Sequence, residues 1–159
     1  MIGRISMNIL IPIDESEYSR AALDAVLERP WPAKAQFKVI TVVEPFHPEA
    51  AGWQTTYVPL AIEAQRMHNE AAQKLVDEAG SELAALFGKE NVTAEMHEGY
   101  IKDKILDTAS HWPADLIVVG SHGRRGFGRV LLGSVSEAIA RHAHCSVEIV
   151  KVRQQSDKH

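Results

Sequence analysis

Residues 115–136, DLIVVGSHGRRGFGRVLLGSVS, limit the folds open to this chain more than any other stretch. Residues 115–119 read as a short buried strand, interrupted by Gly120. A loop follows in which Gly123, Gly126 and Gly128 alternate with Arg124, Arg125 and Arg129. It runs to Gly133-Ser134, where a helix is expected to start. Ser134 precedes Glu137 by the spacing of a reciprocal capping box, so Ser134 is the expected cap. Strand, glycine-rich loop and capped helix make an anion site on physical grounds. Glycines let backbone amides approach a ligand, and a helix start offers unpaired donors and positive potential.

Glycine-rich surface loops also serve as plain connections, and composition alone does not separate the two roles. The arginines and the helix start favour a phosphate cradle. The glycines do not follow G-x-G-x-x-G, and no Gly-Lys-Ser/Thr stands at the helix start, so neither the dinucleotide fingerprint nor a P-loop is present. A nucleotide bound here needs another arrangement.

A chain of 159 residues fits one domain with a sizeable core, and 45% hydrophobic residues argue against disorder throughout. The boundaries expected are 1–153 for the domain and 154–159 for a polar tail. Seventeen basic and 21 acidic side chains give a formal charge of -4, so no global basic field favours nucleic acid. The apolar run at residues 9–13 is too short for a signal core or a membrane span, which points to a cytoplasmic protein without a membrane partner. The single cysteine, Cys145, excludes an internal disulfide and reads as core packing rather than a redox sensor.

Residues 6–13 are mostly aliphatic, without polar alternation, as in a central parallel strand covered on both faces. Ser16 or Asp14 is placed to cap the next helix, whose stripe is Ala21, Ala22, Ala25 and Val26. Pro30 and Pro32 close it, with Trp31 over its end, and residues 37–43 form a second strand. Residues 44–57 have no sustained period and read as a loop beside the site. A long helix is predicted from Pro59 to Gly88, with Leu60, Ala64, Met67, Ala71, Leu75, Ala79, Leu83 and Leu86 as its stripe and Gly80 as a weak point. Residues 92–97 make a third strand and Gly99 a turn. Ile101, Ile105 and Ala109 mark a helix, and residues 116–119 the fourth strand. A helix at 134–142 and a fifth strand at 147–152 complete an α/β layer fold with a mostly parallel sheet.

Gly120, Gly123 and Gly133-Ser134 follow G-x2-G-x9-G-[ST], which resembles the ATP-binding motif of the universal stress protein family. ILIPIDES near the start, the ADLIVVGSHGRRG run and the AIARHAHCSVEIV ending agree with that family in order and spacing. The resemblance implies a three-layer α/β/α fold, adenine nucleotide alpha hydrolase-like, with a five-stranded parallel sheet in the order 3-2-1-4-5. That order sets the first and fourth strands side by side, where ligands collect. It further implies ATP as ligand, with magnesium arriving on the triphosphate, and a homodimer through the last strand, where Val147, Ile149 and Val152 lie. One departure is Cys145-Ser146, where many family members have Cys-Pro.

By the same resemblance Pro12 and Ile13 line the adenine side, and Val42 packs near the base. Asp14 accepts from ribose or adenine; from the residues alone it serves equally well as a helix cap. Gly120, Gly123, Gly133, Ser134, Val135 and Ser136 match the phosphate and ribose side, the serines through hydroxyls as well as amides. Arg124, Arg125 and His122 either flank the ligand or face water. His142, His144 and Cys145 lack a fourth ligand for structural zinc. Ser134, His122 and Asp115 could be assembled into a triad on paper, but no G-x-S-x-G elbow accompanies them. No general base is apparent. The expected function is therefore an ATP-binding regulatory protein with at most slow hydrolysis. A nucleotide-independent interaction protein or a dedicated nucleotide hydrolase is the alternative.

Overall fold

The computed structural model describes residues 6–47, 58–123 and 132–152. In chain order the elements are β1 (Asn8–Pro12), α1 (Glu17–Leu27), β2 (Gln36–Val43), α2 (Val58–Phe87), β3 (Val92–Glu98), α3 (Ile101–His111), β4 (Leu116–Gly120), α4 (Ser134–His142) and β5 (Ser146–Val150). All strand pairs are parallel, and the sheet runs β3-β2-β1-β4-β5 as expected. A parallel strand at the centre must bury both faces, in keeping with the aliphatic runs of Ile9, Leu10 and Ile11 in β1 and of Leu116, Ile117, Val118 and Val119 in β4.

Alternate residues of each strand point to opposite sides and divide the core in two. Ile9, Ile11, Phe37, Val39, Leu116 and Val118 pack with Ala22, Leu23 and Val26 of α1 and Val76, Ala79 and Leu83 of α2. Leu10, Ile40, Ile117 and Val119 face Ile105 and Ala109 of α3 and Ile139 of α4. These are the outer layers of the three-layer sandwich. Trp31 closes α1 by donating from its indole nitrogen to Val26 O at 2.8 Å, and its ring meets the edge of Phe37 at 5.8 Å.

The long helix departs from its expected stripe. Ala79 and Leu83 are buried as predicted, but Leu60, Met67 and Leu86 are 68%, 59% and 62% exposed. The inner face is instead Ala72, Val76, Ala79, Gly80 and Leu83. For Leu60 and Met67 the cause is length. A helix of 30 residues extends about 45 Å at 1.5 Å per residue. The seven residues of β3 cover only about 23 Å. The amino-terminal part of α2 therefore has no sheet beneath it. Gly80 also has a positive role. A Cβ there would lie 2.7 Å from Ala94 Cβ, so glycine lets α2 approach β3.

Part of the expected loop at 44–57, the arginines Arg124, Arg125 and Arg129 with Gly126 and Gly128, and the polar tail at 154–159 lie outside the described residues.

Candidate functional site

The carboxyl ends of β1 and β4 adjoin at the centre of the sheet. Their following connections depart to opposite faces, α1 to one and α4 to the other. That divergence opens a crevice. Two adjoining cavities occupy it, an outer one of about 450 Å³ and an inner, mainly apolar one of about 70 Å³. Pro12, Ile13, Asp14, Val42, Gly120, His122, Gly123, Gly133, Ser134, Val135 and Ser136 all line one or both. The candidates of the sequence reading lie in one place, except Arg124 and Arg125, which are outside the described residues.

Asp14 is held at the start of α1. Its Oδ1 accepts from Ser16 N at 2.9 Å and from the Ser19 hydroxyl at 2.9 Å, while its own amide donates to Ser19 Oγ at 2.9 Å. Ser16 is the cap proper, accepting from Ser19 N at 3.2 Å. The second oxygen faces the loop after β4: a Cβ on Gly123 would lie 3.0 Å from Asp14 Oδ2. One carboxylate oxygen orders the helix start and the other borders the outer cavity, so the cap role and a ligand role are compatible. Val42 is likewise both core and cavity wall, being packed against the cluster under α3.

The start of α4 differs from the sequence reading. Gly133, not Ser134, is the cap residue, and Ser134 is the first helical residue. Glu137 does not reach back, because its carboxylate accepts from Arg141 at 2.9 Å one turn further along. Ser136 fixes the loop after β4 to the start of α4 in another way. Its hydroxyl lies 2.8 Å from Ser121 O and 3.0 Å from Gly133 O, and the residue is 2% exposed. That proton is committed to backbone carbonyls, which corrects the expectation that the Ser136 hydroxyl donates to phosphate. The amides at the first positions of α4 precede its first helical bond, Glu137 N to Gly133 O at 2.9 Å, and form the donor end beside the crevice.

The glycines also act differently. A Cβ on Gly120 would stand 2.6 Å from the Tyr18 carbonyl group. One on Gly133 would stand 3.0 Å from His122 Cα, and the Gly133 amide donates to Ser121 O at 2.7 Å. These two are required by the chain's own packing. His122 is tilted against Tyr18 at 4.9 Å and its Nδ1 is 3.0 Å from Ser121 Oγ.

Sequence reasoning placed Glu44 in a loop beside the site but overlooked the rest of that wall of the outer cavity, formed by Tyr100, Ile101, Lys102 and Asp103. The available signal was the position of the Gly99 turn. Any turn at the carboxyl end of a strand near the crevice can border it, and α3 begins there. The paper triad is excluded by distance. Asp115 precedes β4, where it accepts from Asn8 N at 2.8 Å, whereas His122 and Ser134 lie past the other end of that strand. Cys145 packs with the α3–α4 core, and burial pushes its thiol pKa up, reinforced by Asp115. Among the described residues no group of three or more His, Cys, Asp or Glu side chains is placed to hold a metal ion. Nor, among them, is any helix long and apolar enough to cross a membrane.

Sheet order and crevice together define a three-layer α/β protein with a ligand-sized site at the switch point. The comparisons narrow this further: the model of the "Universal stress protein family" matches residues 6–151, and the chain belongs to that family. A universal stress protein of Methanocaldococcus jannaschii is 33% identical over 147 residues, covering 90% of this chain and 81% of the relative. The structure of universal stress protein UspA from Lactobacillus plantarum superposes with a TM-score of 0.74 at 27% identity, over 91% of this chain and 97% of that one. A family protein from Arabidopsis thaliana, solved with AMP bound, shares the fold at a TM-score of 0.61 and 16% identity, over 95% and 97% of the two chains.

Proposed function

We propose that this universal stress protein binds an adenine nucleotide, ATP in the first instance, in the crevice between β1 and β4, and acts as a regulatory protein with at most slow hydrolysis. The observation that carries the reading is the junction of two unlike environments. The inner cavity, with Ile40, Val42, Ile101, Ile105 and Val119, suits a flat apolar base. The outer cavity ends at Ser134 and Val135 in the first turn of α4, where amides suit phosphate oxygens. AMP in the Arabidopsis relative, and cAMP in another family structure, support an adenine ligand.

In this reading Asp14 accepts from ribose or base, Gly123 leaves room beside it, and Ser134 donates from its hydroxyl. Ser136 holds the loop after β4 against α4 and contributes its amide. Magnesium comes with the triphosphate, coordinated by phosphate oxygens and water. The described residues of the crevice offer phosphate donors and an apolar base site, and we assign no general base among them. The protein is cytoplasmic in this proposal and pairs through β5.

The test is thermal melting with and without nucleotide, joined to a turnover assay. ATP at a hundred times its dissociation constant stabilises the fold by about 2.7 kcal/mol through mass action. Absence of any shift with ATP, ADP, AMP or cAMP would leave the nucleotide-independent interaction protein. Turnover above about 1 per second, in the range of ordinary enzymes, would establish a dedicated hydrolase instead.

A further inference from the structure

Resting on that nucleotide reading, we infer that Tyr100 is the platform on which the adenine base stacks, with base and phosphates assigned to opposite helix starts. The starts of α3 and α4 border the same outer cavity, the first through Tyr100, Ile101 and Asp103 and the second through Ser134 and Val135. Their charges differ. The α3 wall carries Glu44 and Asp103 against one lysine, Lys102, so its net charge is negative and disfavours a polyphosphate. The acid in the first turn of α4, Glu137, is paired with Arg141, which leaves the amide end of that helix as the place for negative charge.

The base is thereby assigned to the α3 side, at the boundary of the two cavities, where Ile101 lines both and the neighbouring Tyr100 lines the outer one. Among the described residues of the outer cavity Tyr100 is the aromatic one, and it is 67% exposed. Its position is built into the turn. Gly99 has φ +144°, a conformation that side chains disfavour, and its amide donates to Val43 O at 3.0 Å, tying the α3 start to the end of β2. A large ring held at a cavity mouth and open to water gains most when a flat base covers it.

The experiment is calorimetric titration of ATP into wild type, Tyr100→Phe and Tyr100→Ala, with tripolyphosphate as a competitor that has phosphates but no base. Each variant is first melted to show that it folds, which an exposed position permits. Stacking predicts that Y100F stays within about twofold of wild type, while Y100A loses about tenfold in ATP affinity. Tripolyphosphate should displace ATP with the same inhibition constant from all of them. Equal ATP affinity in Y100A and wild type overturns the assignment. So does a loss shared by Y100F, which would mark the hydroxyl, or a parallel loss for tripolyphosphate, which would mark a general distortion. A wild type that binds no nucleotide ends the parent reading and this one together; a wild type that binds ATP with Y100A unchanged ends this one alone.

Discussion

Gly120, the last residue of β4, lies directly beneath the backbone of Tyr18 in α1, so close that a Cβ would come within 2.6 Å of the Tyr18 carbonyl carbon and oxygen. The neighbour is main chain, which cannot rotate aside as a side-chain tip can. Gly120→Ala should therefore destabilise by about 1–3 kcal/mol through overpacking. Gly123→Ala meets only Asp14 Oδ2 at 3.0 Å and should cost less stability, while weakening nucleotide binding by intruding on the Asp14 side of the cavity. Urea denaturation of both variants checks the first claim and ATP titration the second. A Gly120→Ala protein as stable as wild type would show that α1 is free to shift.

The serines of α4 should separate by role. Ser136→Ala removes a buried hydroxyl that bonds the Ser121 and Gly133 carbonyls, which keep the Gly133 and Glu137 amides as donors, and should cost about 0.5–1.5 kcal/mol. Ser134→Ala removes no cap, because the cap residue is Gly133, and should change stability by less than about 0.5 kcal/mol. Its effect belongs in ATP affinity. Chemical denaturation ranks the two; a larger stability loss for Ser134→Ala would restore Ser134 as the cap.

Acid should release a tie between the end of α1 and the sheet edge. Arg29 donates to both carboxylate oxygens of Glu148 at 2.6 and 2.5 Å, and this hydrogen bonding holds the Glu148 pKa below the usual carboxylate range. A carboxylate depressed in the folded state stabilises above its unfolded pKa, and that stability fades as pH falls through the lower folded value. Wild type should exceed Glu148→Gln in stability at neutral pH, by about 1 kcal/mol or less because both partners are partly solvated. The gap should narrow below about pH 4.3, where an unfolded glutamate takes up its proton. Denaturation of both proteins across pH 3–7 checks this, and a gap independent of pH would remove the ion pair as its cause.

The proposed pairing through β5 is open to a direct measurement. Among the described residues β5 is a terminal strand of the sheet and pairs with β4 as its one neighbouring strand. Light scattering at micromolar concentration should return about twice the monomer mass, as a two-fold dimer requires. A strict monomer would remove the proposal. Deletion after Val152 then tells whether the tail competes for that edge.

Local chemistry made much of this protein legible in its sequence. Continuous aliphatic runs marked β1 and β4 as central strands, since only a strand covered on both faces is apolar at successive residues. The alternation of such runs with amphipathic segments led to the α/β layers, and the resemblance supplied the strand order that the structure has. Candidates as far apart as Asp14 and Ser134 were assigned to one crevice and do meet there. Tertiary structure decided what each of them does in it. A glycine codon reads the same whether a ligand or the chain's own backbone needs the space, and only the packed α1 shows that Tyr18 takes the space at Gly120. A serine hydroxyl reads as a donor to any acceptor, and only the folded loop sets Ser121 O and Gly133 O before Ser136. The stripe on α2 recorded apolar periodicity but not how far the sheet extends beneath it, so Leu60 and Met67 were read as core and lie in water. Periodicity is a property of one segment, whereas burial depends on the surface that another segment brings to it.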